Sequence, residues 1–324
     1  MLKKIVFFGI LTLLFISCVQ KEKENKVTYN KEILPETKVF QGVGLLGDSL
    51  FTEIDSVSQS EQINKLVEAE SLFGEDPSLE NLIWIGRREA YLGRYDLAIR
   101  TFSKAAKQFP ESFEPLRHRG HRFISIREFE RALVDFLEAG ELMKDLPLQI
   151  EQDGMPNKLN IPLSNGQFNV WYHLGLAYYL LNDWEKALDA YKQCLEVSDN
   201  DDLIVATLDW YYMTLMKLGK TKEAQSLIKA VNTNMKIIEN DAYYKRILMY
   251  KGQLNPEDLM DVGTESEDQK LQYVTQGYGL GNFYLSQGDT AKAKSIFEKV
   301  IDSGYWSAFG YIASEMELAR LKNE

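Results

Sequence analysis

The chain is predicted to be all-α: a solenoid of about six helix-turn-helix repeats, interrupted by one non-helical insertion and closed by a C-terminal capping helix. Three observations carry this. Alanines at 98, 132, 187 and 224 mark the same point of a recurring pattern, and the first step, Ala98 to Ala132, is 34 residues. Trp171, Leu174 and Tyr178 share one face of a helix at i, i+3 and i+7. A two-helix unit of this length cannot bury its apolar face alone, so copies must stack.

The first eighteen residues, MLKKIVFFGILTLLFISC, come before the array. Lys3 and Lys4 form a positive start, and an apolar run to Ile16 follows, broken only by Gly9 and Thr12. The run falls short of the roughly 20 apolar residues needed to cross a bilayer, but it has the layout of a secretory signal. Ser17-Cys18 after Leu14-Phe15-Ile16 resembles a bacterial lipobox, which implies a signal peptide over residues 1–17 and an acylated Cys18, for example with palmitate. Residues 18–60 start polar and charge-dense and are read as the lipidated cysteine with a flexible linker. Val19 in place of an aspartate implies the outer membrane, on its periplasmic or surface face.

The repeats run from residue 61 to residue 322, entered by a helix at 61–73. The first copy places Leu82, Ile85, Gly86, Ala98, Phe102 and Ala105, and the second Leu116, Gly120, Phe123, Ala132, Phe136 and Ala139. The third reads Trp171-x2-Leu174-Gly175-x2-Tyr178, then Ala187-x3-Tyr191. Gly175 and Ala187 let the paired helices approach closely. A fourth copy holds Leu208, Tyr211, Leu215, Gly219 and Ala224. A fifth is fragmentary, a helix near 238–251 and a start at Asn255-Pro256-Glu257. A sixth holds Leu280, Gly281, Tyr284, Ala293, Phe297 and Val300, and residues 306–321 read as the terminal helix. The third copy reproduces the tetratricopeptide pattern W-x2-L-G-x2-Y…A-x3-F. Over most of 61–322 the chain resembles the tetratricopeptide-repeat superfamily, which implies a right-handed superhelix whose first helices line a concave groove.

Ala132 to Ala187 spans 55 residues, 21 more than one repeat. The extra material, about 145–169, holds Pro147, Pro156, Pro162 and an Asn165-Gly166 turn, so it is not helical throughout. A loop of that length in a compact array is either functional or a clasp over the joint between copies two and three.

The net charge is −11 and becomes −13 once Lys3 and Lys4 leave with the signal. That balance argues against nucleic acid as a partner and leaves membrane association to the lipid anchor. Yet nine of the eleven arginines lie between 87 and 131, with the three histidines in or just after that stretch. The resemblance places Arg87, Arg117, His121, Tyr172 and Asp209 at groove-facing positions, with His118 and His173 to the side. Guanidinium forks select anionic groups, so these residues point to a peptide or protein segment with an anionic group. A structural reading stands beside it. Glu89 and Arg119 occupy places that face each other across stacked copies and are expected to form a buried ion pair that sets register.

No metal or cofactor is expected. His118-x-x-His121, with Glu114 and His173 near, has helical-turn spacing, but neighbouring arginines oppose a cation. No phosphate-cradling loop or nucleophile elbow occurs, and Cys194 falls at the packing slot of Ala105 and Ala139. The expectation is a lipid-anchored, non-enzymatic scaffold for assembly of envelope machinery. The alternative is a receptor or enzyme for a small anionic ligand, with a pocket closed by 145–169.

Overall fold

The computed structural model describes residues 38–55, 57–263 and 265–323. The expected signal peptide and Cys18 lie outside these residues. Within the expected linker, residues 38–53 form a hairpin. Lys38–Val43 (β1) and Ser49–Glu53 (β2) pair antiparallel, with Gly44 N donating to Asp48 O at 2.8 Å across the turn. Leu50 and Ile54 are buried, Thr52 Oγ1 donates to Gly93 O at 2.9 Å, and Gln41 Oε1 accepts from Asp96 N at 3.2 Å. Two strands alone are marginal, and this pair is held by the first repeat.

The helical array starts with α1 (Ser60–Glu75). Copy one is α2 (Leu79–Tyr91) and α3 (Tyr95–Gln108), copy two α4 (Glu114–Ser125) and α5 (Phe129–Met143). Copy three is α6 (Gly166–Leu180) and α7 (Trp184–Glu196). In copy four α8 (Asp201–Lys217) pairs with the short α9 (Thr221–Leu227), extended by a 3-10 turn at Ile228–Ala230. Copy five keeps α10 (Asp241–Tyr250) and replaces its second helix by a 3-10 turn, Pro256–Met260. The array closes with α11 (Glu267–Ser286), α12 (Thr290–Asp302) and α13 (Phe309–Asn323). Where copies four and five lose helix, the buried Asp202 carboxylate accepts from the backbone N–H of Ile238, Glu239 and Asn240 and pins the intervening loop.

One contact repeats through the regular copies. The glycine of the first helix faces the aromatic four residues after the marker alanine: Gly86 on Phe102, Gly120 on Phe136, Gly175 on Tyr191 and Gly281 on Phe297. A Cβ on Gly175 would sit 2.6 Å from the Tyr191 ring, so the ring sets how closely the helices approach. The hairpin turns need a left-handed residue. Gly93, Gly219 and Gly288 supply it with φ of 71°, 70° and 83°. Copy two places Arg127 there at φ 68°, and copy three Asn182 at φ 61°. For an arginine that conformation is unfavourable and must be held by other contacts.

Two features depart from the expected layout. The insertion ends at Asn165, four residues early: Asn165 is not a turn residue but the N-cap of α6, accepting from Phe168 N at 2.7 Å. The terminal helix α13 packs on α11 and α12 as a cap should, but its inner side is also covered. Arg127 Nε pairs with Glu315 Oε2 at 2.9 Å, Lys217 pairs with Glu317, and Phe309 packs on His121 and His173. Tyr179 and Tyr278 join hydroxyls at 2.7 Å between α6 and α11. Side chains of the chain itself therefore fill the inner face of copies two to four.

Candidate functional site

The arginine cluster divides by what each guanidinium meets. Arg117 is buried and pairs with Glu151 of the insertion at 2.9 Å, while its Nη1 donates to His118 Nδ1 at 2.8 Å. The same ring stacks on Phe102 at 5.2 Å. His121 and His173 lie 4.4 Å apart, and His173 Nδ1 donates to Asn169 O at 2.5 Å. Burial first, then the Arg117, Arg87 and Arg122 charges, hold His118 well below its ordinary pKa. Burial, then Arg122, depresses His121, and burial with Arg117 brings His173 down to about 3. All three imidazoles are neutral near pH 7, so they add no charge to an anion site.

The expected open groove of Arg87, Arg117, His121 and Tyr172 is corrected by this packing. His121 is covered by Phe309, and Arg117 spends its charge on Glu151. Tyr172 donates its hydroxyl to Tyr243 at 3.0 Å, beneath copy five. Asp209 is 0 % exposed and lies 2.7 Å from Arg246 Nη2, an ion pair inside the stack. The Glu89–Arg119 pair is not formed either. Arg119 makes a two-pronged contact with Asp135, Nη2 to Oδ1 at 2.7 Å and Nε to Oδ2 at 2.8 Å. That partner sits on the second helix of its own hairpin, one shorter reach away than the neighbouring copy. Glu89 instead stays buried away from Arg119, and desolvation, opposed in part by Thr101 and the Arg94 charge, raises it to about 7.

Arg87 is the member of the set that reaches open space. Its Nη2 donates to Gln152 O at 2.8 Å and its guanidinium lies 4.3 Å from the Trp84 ring centre. Arg88 donates to Gly154 O at 3.1 Å, and a Cβ on Gly154 would strike the Tyr91 hydroxyl. The insertion is thereby fastened by its backbone to α2. At its other end Asn157 donates to Glu239 Oε1 at 2.7 Å, so it spans from copy one to the start of copy five. Between insertion, α2 and the start of α4 lies a cleft of about 420 Å³, lined by Glu80, Trp84, Arg87, Glu114, His118 and residues 149–152. The insertion also turns Leu146, Leu148, Ile150, Met155, Leu159 and Ile161 to solvent. Neither Trp84 nor the segment 149–152 stood out in the sequence, since a half-buried tryptophan reads as ordinary core and backbone acceptors carry no side-chain signature.

Among the described residues no group of three or more His, Cys, Asp or Glu is placed to hold a metal ion, and no helix is long and apolar enough to cross a membrane. Cys194 is buried against Thr207, and desolvation raises its thiol to about 12.

The chain is 23 % identical over 264 residues to the anaphase-promoting complex subunit CDC16 of Saccharomyces cerevisiae, covering 74 % of this chain and 30 % of that protein. It is 24 % identical over 219 residues to the BBSome complex member BBS4 of Bos taurus, covering 66 % and 37 %. It thus spans about a third of the length of these curated relatives. A solved tetratricopeptide repeat protein from Parabacteroides merdae aligns with TM-score 0.47 and 17 % identity, over 82 % of this chain and 95 % of that one. Family models described as tetratricopeptide repeat match residues 80–112, 168–201 and 278–303, which are copies one, three and six. With its repeats matched at three separate points along an all-α solenoid, the chain belongs to the tetratricopeptide-repeat superfamily.

Proposed function

We propose that this protein is a lipid-anchored scaffold that holds a peptide or protein segment in the cleft beneath its insertion. Repeats of this kind generally serve as non-enzymatic interaction scaffolds, and the two curated relatives are named as members of multi-protein complexes. The observation that carries the location is that the inner face is occupied by α13, whereas the cleft is open and holds Arg87 with no carboxylate within ion-pair distance among the described residues. Arg87 is then the residue to hold an anionic group of the partner. The apolar residues of the insertion extend the contact area. Anchoring through Cys18 places the scaffold on the outer membrane for envelope assembly.

Two experiments test this. A photoreactive amino acid at Ile150 should capture a discrete partner that the same group at Val134, exposed on α5, does not; identical captures from both positions would overturn the cleft assignment. Metabolic labelling with palmitate should mark the wild type and not Cys18→Ser, and equal labelling would remove the anchor. The alternative of a small anionic ligand is favoured by one observation, the two-arginine fastening that roofs the cleft. It predicts thermal stabilisation by short-chain carboxylates or phosphate, and no shift at millimolar ligand removes it.

A further inference from the structure

The cleft has electrical polarity along its length. Glu80 opens α2 and Arg87 stands seven residues further on, about 10 Å along the axis at about 1.5 Å per residue. Glu114 is the first residue of α4 and lines the same cleft as Glu80; its Oε2 is buried and has no hydrogen-bond donor. Glu80 is exposed. At the other end Arg87 uses Nε and Nη2 on Tyr91 and Gln152, which leaves Nη1 without a hydrogen bond among the described residues. One end carries Glu80 and Glu114, and the other carries Arg87 beside the Arg117–Glu151 ion pair, whose charges offset each other.

A backbone edge runs between them. A single antiparallel bridge pairs Ile150 with Asn165: Gly166 N donates to Gln149 O at 2.8 Å and Glu151 N to Ser164 O at 2.9 Å, which uses one edge of the segment 149–151. Alternation puts the N–H and C=O of Ile150 on the opposite edge, together with Gln152 O. Gln152 O accepts from Arg87, so that edge faces α2 and the cleft. Ile150 is 69 % exposed. The segment begins beside Phe113, which lies against Gly166 at the acidic end, and finishes at Arg87.

Resting on the cleft reading above, we infer that the partner segment is an extended chain of four to five residues with mixed charge. It pairs its backbone with Ile150, sets a basic side chain between Glu80 and Glu114, and sets an acidic one on Arg87. Residues four apart share a face of an extended chain at about 13 Å, and flexible Lys and Glu side chains take up the difference from the 10 Å span.

The test uses the full chain and three blocked pentapeptides, Lys-Val-Thr-Val-Glu and its Lys/Lys and Glu/Glu counterparts, each with a photoreactive group on the central residue. The mixed peptide should bind at least tenfold tighter than either like-charged one and crosslink to 149–152 or Trp84. Glu80→Lys, at an exposed position that leaves the fold alone, should reverse the order in favour of Glu/Glu. Equal affinities with crosslinks in the cleft would overturn the polarity and leave the cleft as the binding place. Crosslinks elsewhere, or none, would overturn both.

Discussion

Replacing Arg127 by glycine separates two opposed effects at one residue. Arg127 holds φ 68° in the turn between α4 and α5, where copies one, four and six have glycine and copy three has Asn182. Its side chain is 3 % exposed and pairs with Glu315, itself 2 % exposed, at 2.9 Å; it also donates to Ser125 O and to Trp306 O. Glu315 accepts from Leu45 N at 3.0 Å, so one carboxylate joins the N-terminal hairpin, copy two and α13. Removing the guanidinium leaves a buried carboxylate without its cation, costing about 3–5 kcal/mol. Glycine returns about 1–2 kcal/mol by relieving the left-handed strain. The expected net loss is about 1–4 kcal/mol, whereas Arg127→Ala keeps the strain and loses about 1–2 kcal/mol more. Burial already raises the Glu315 carboxyl and Arg127 opposes that rise, so without Arg127 the carboxyl moves further up and the deficit grows as pH rises. Urea unfolding gives the net loss, and hydrogen exchange at the Leu45 amide reports the hairpin. A loss under about 1 kcal/mol with Leu45 still protected, or equal stability of the glycine and alanine variants, would refute the reasoning.

Glu89 folds with a pKa of about 7 against an ordinary 4.5, so the native state holds the extra proton. Its contribution is fully present below about 4.5 and lost as pH rises through 7; Glu89→Gln should therefore gain up to about 3 kcal/mol at pH 8 and nothing at pH 4. Unchanged pH dependence in thermal unfolding would contradict it. Gly154→Ala places a methyl against Tyr91 and should lift the insertion from α2, seen as faster limited proteolysis within 145–165 at unchanged helix content. Cys194, with its thiol raised to about 12, should resist thiol reagents at pH 8 until the chain is denatured; native-state labelling at the rate of a free thiol would be the contrary result.

Much of the array was legible because its determinants lie within one hairpin. The glycine-to-aromatic contacts of Gly86, Gly120, Gly175 and Gly281 follow from residues that recur in register, and so do the marker alanines. The hairpin at 38–53 was hidden because each strand is only five or six residues long and its buried face is met by the turn at Gly93, some 40 residues on. Arg119 was assigned to Glu89 by repeat geometry, but a long side chain chooses among several carboxylates, and Asp135 offers both oxygens. The candidate site was half legible: Arg87 and His118 were named, while Trp84, Ile150 and the backbone acceptors at Gln152 and Gly154 were not.

The sequence by itself determined the class of fold, the number of copies and the place of the break, since helix period and close glycine contacts act over one or two turns. Tertiary structure decided which positions remain open to a partner. Groove places are defined by a single hairpin, but whether they face solvent depends on segments far along the chain. Phe309 covers His121, Arg246 covers Asp209, and Glu315 claims Arg127 across 188 residues. Such contacts depend on how small rotations between copies accumulate, and no local pattern encodes that sum.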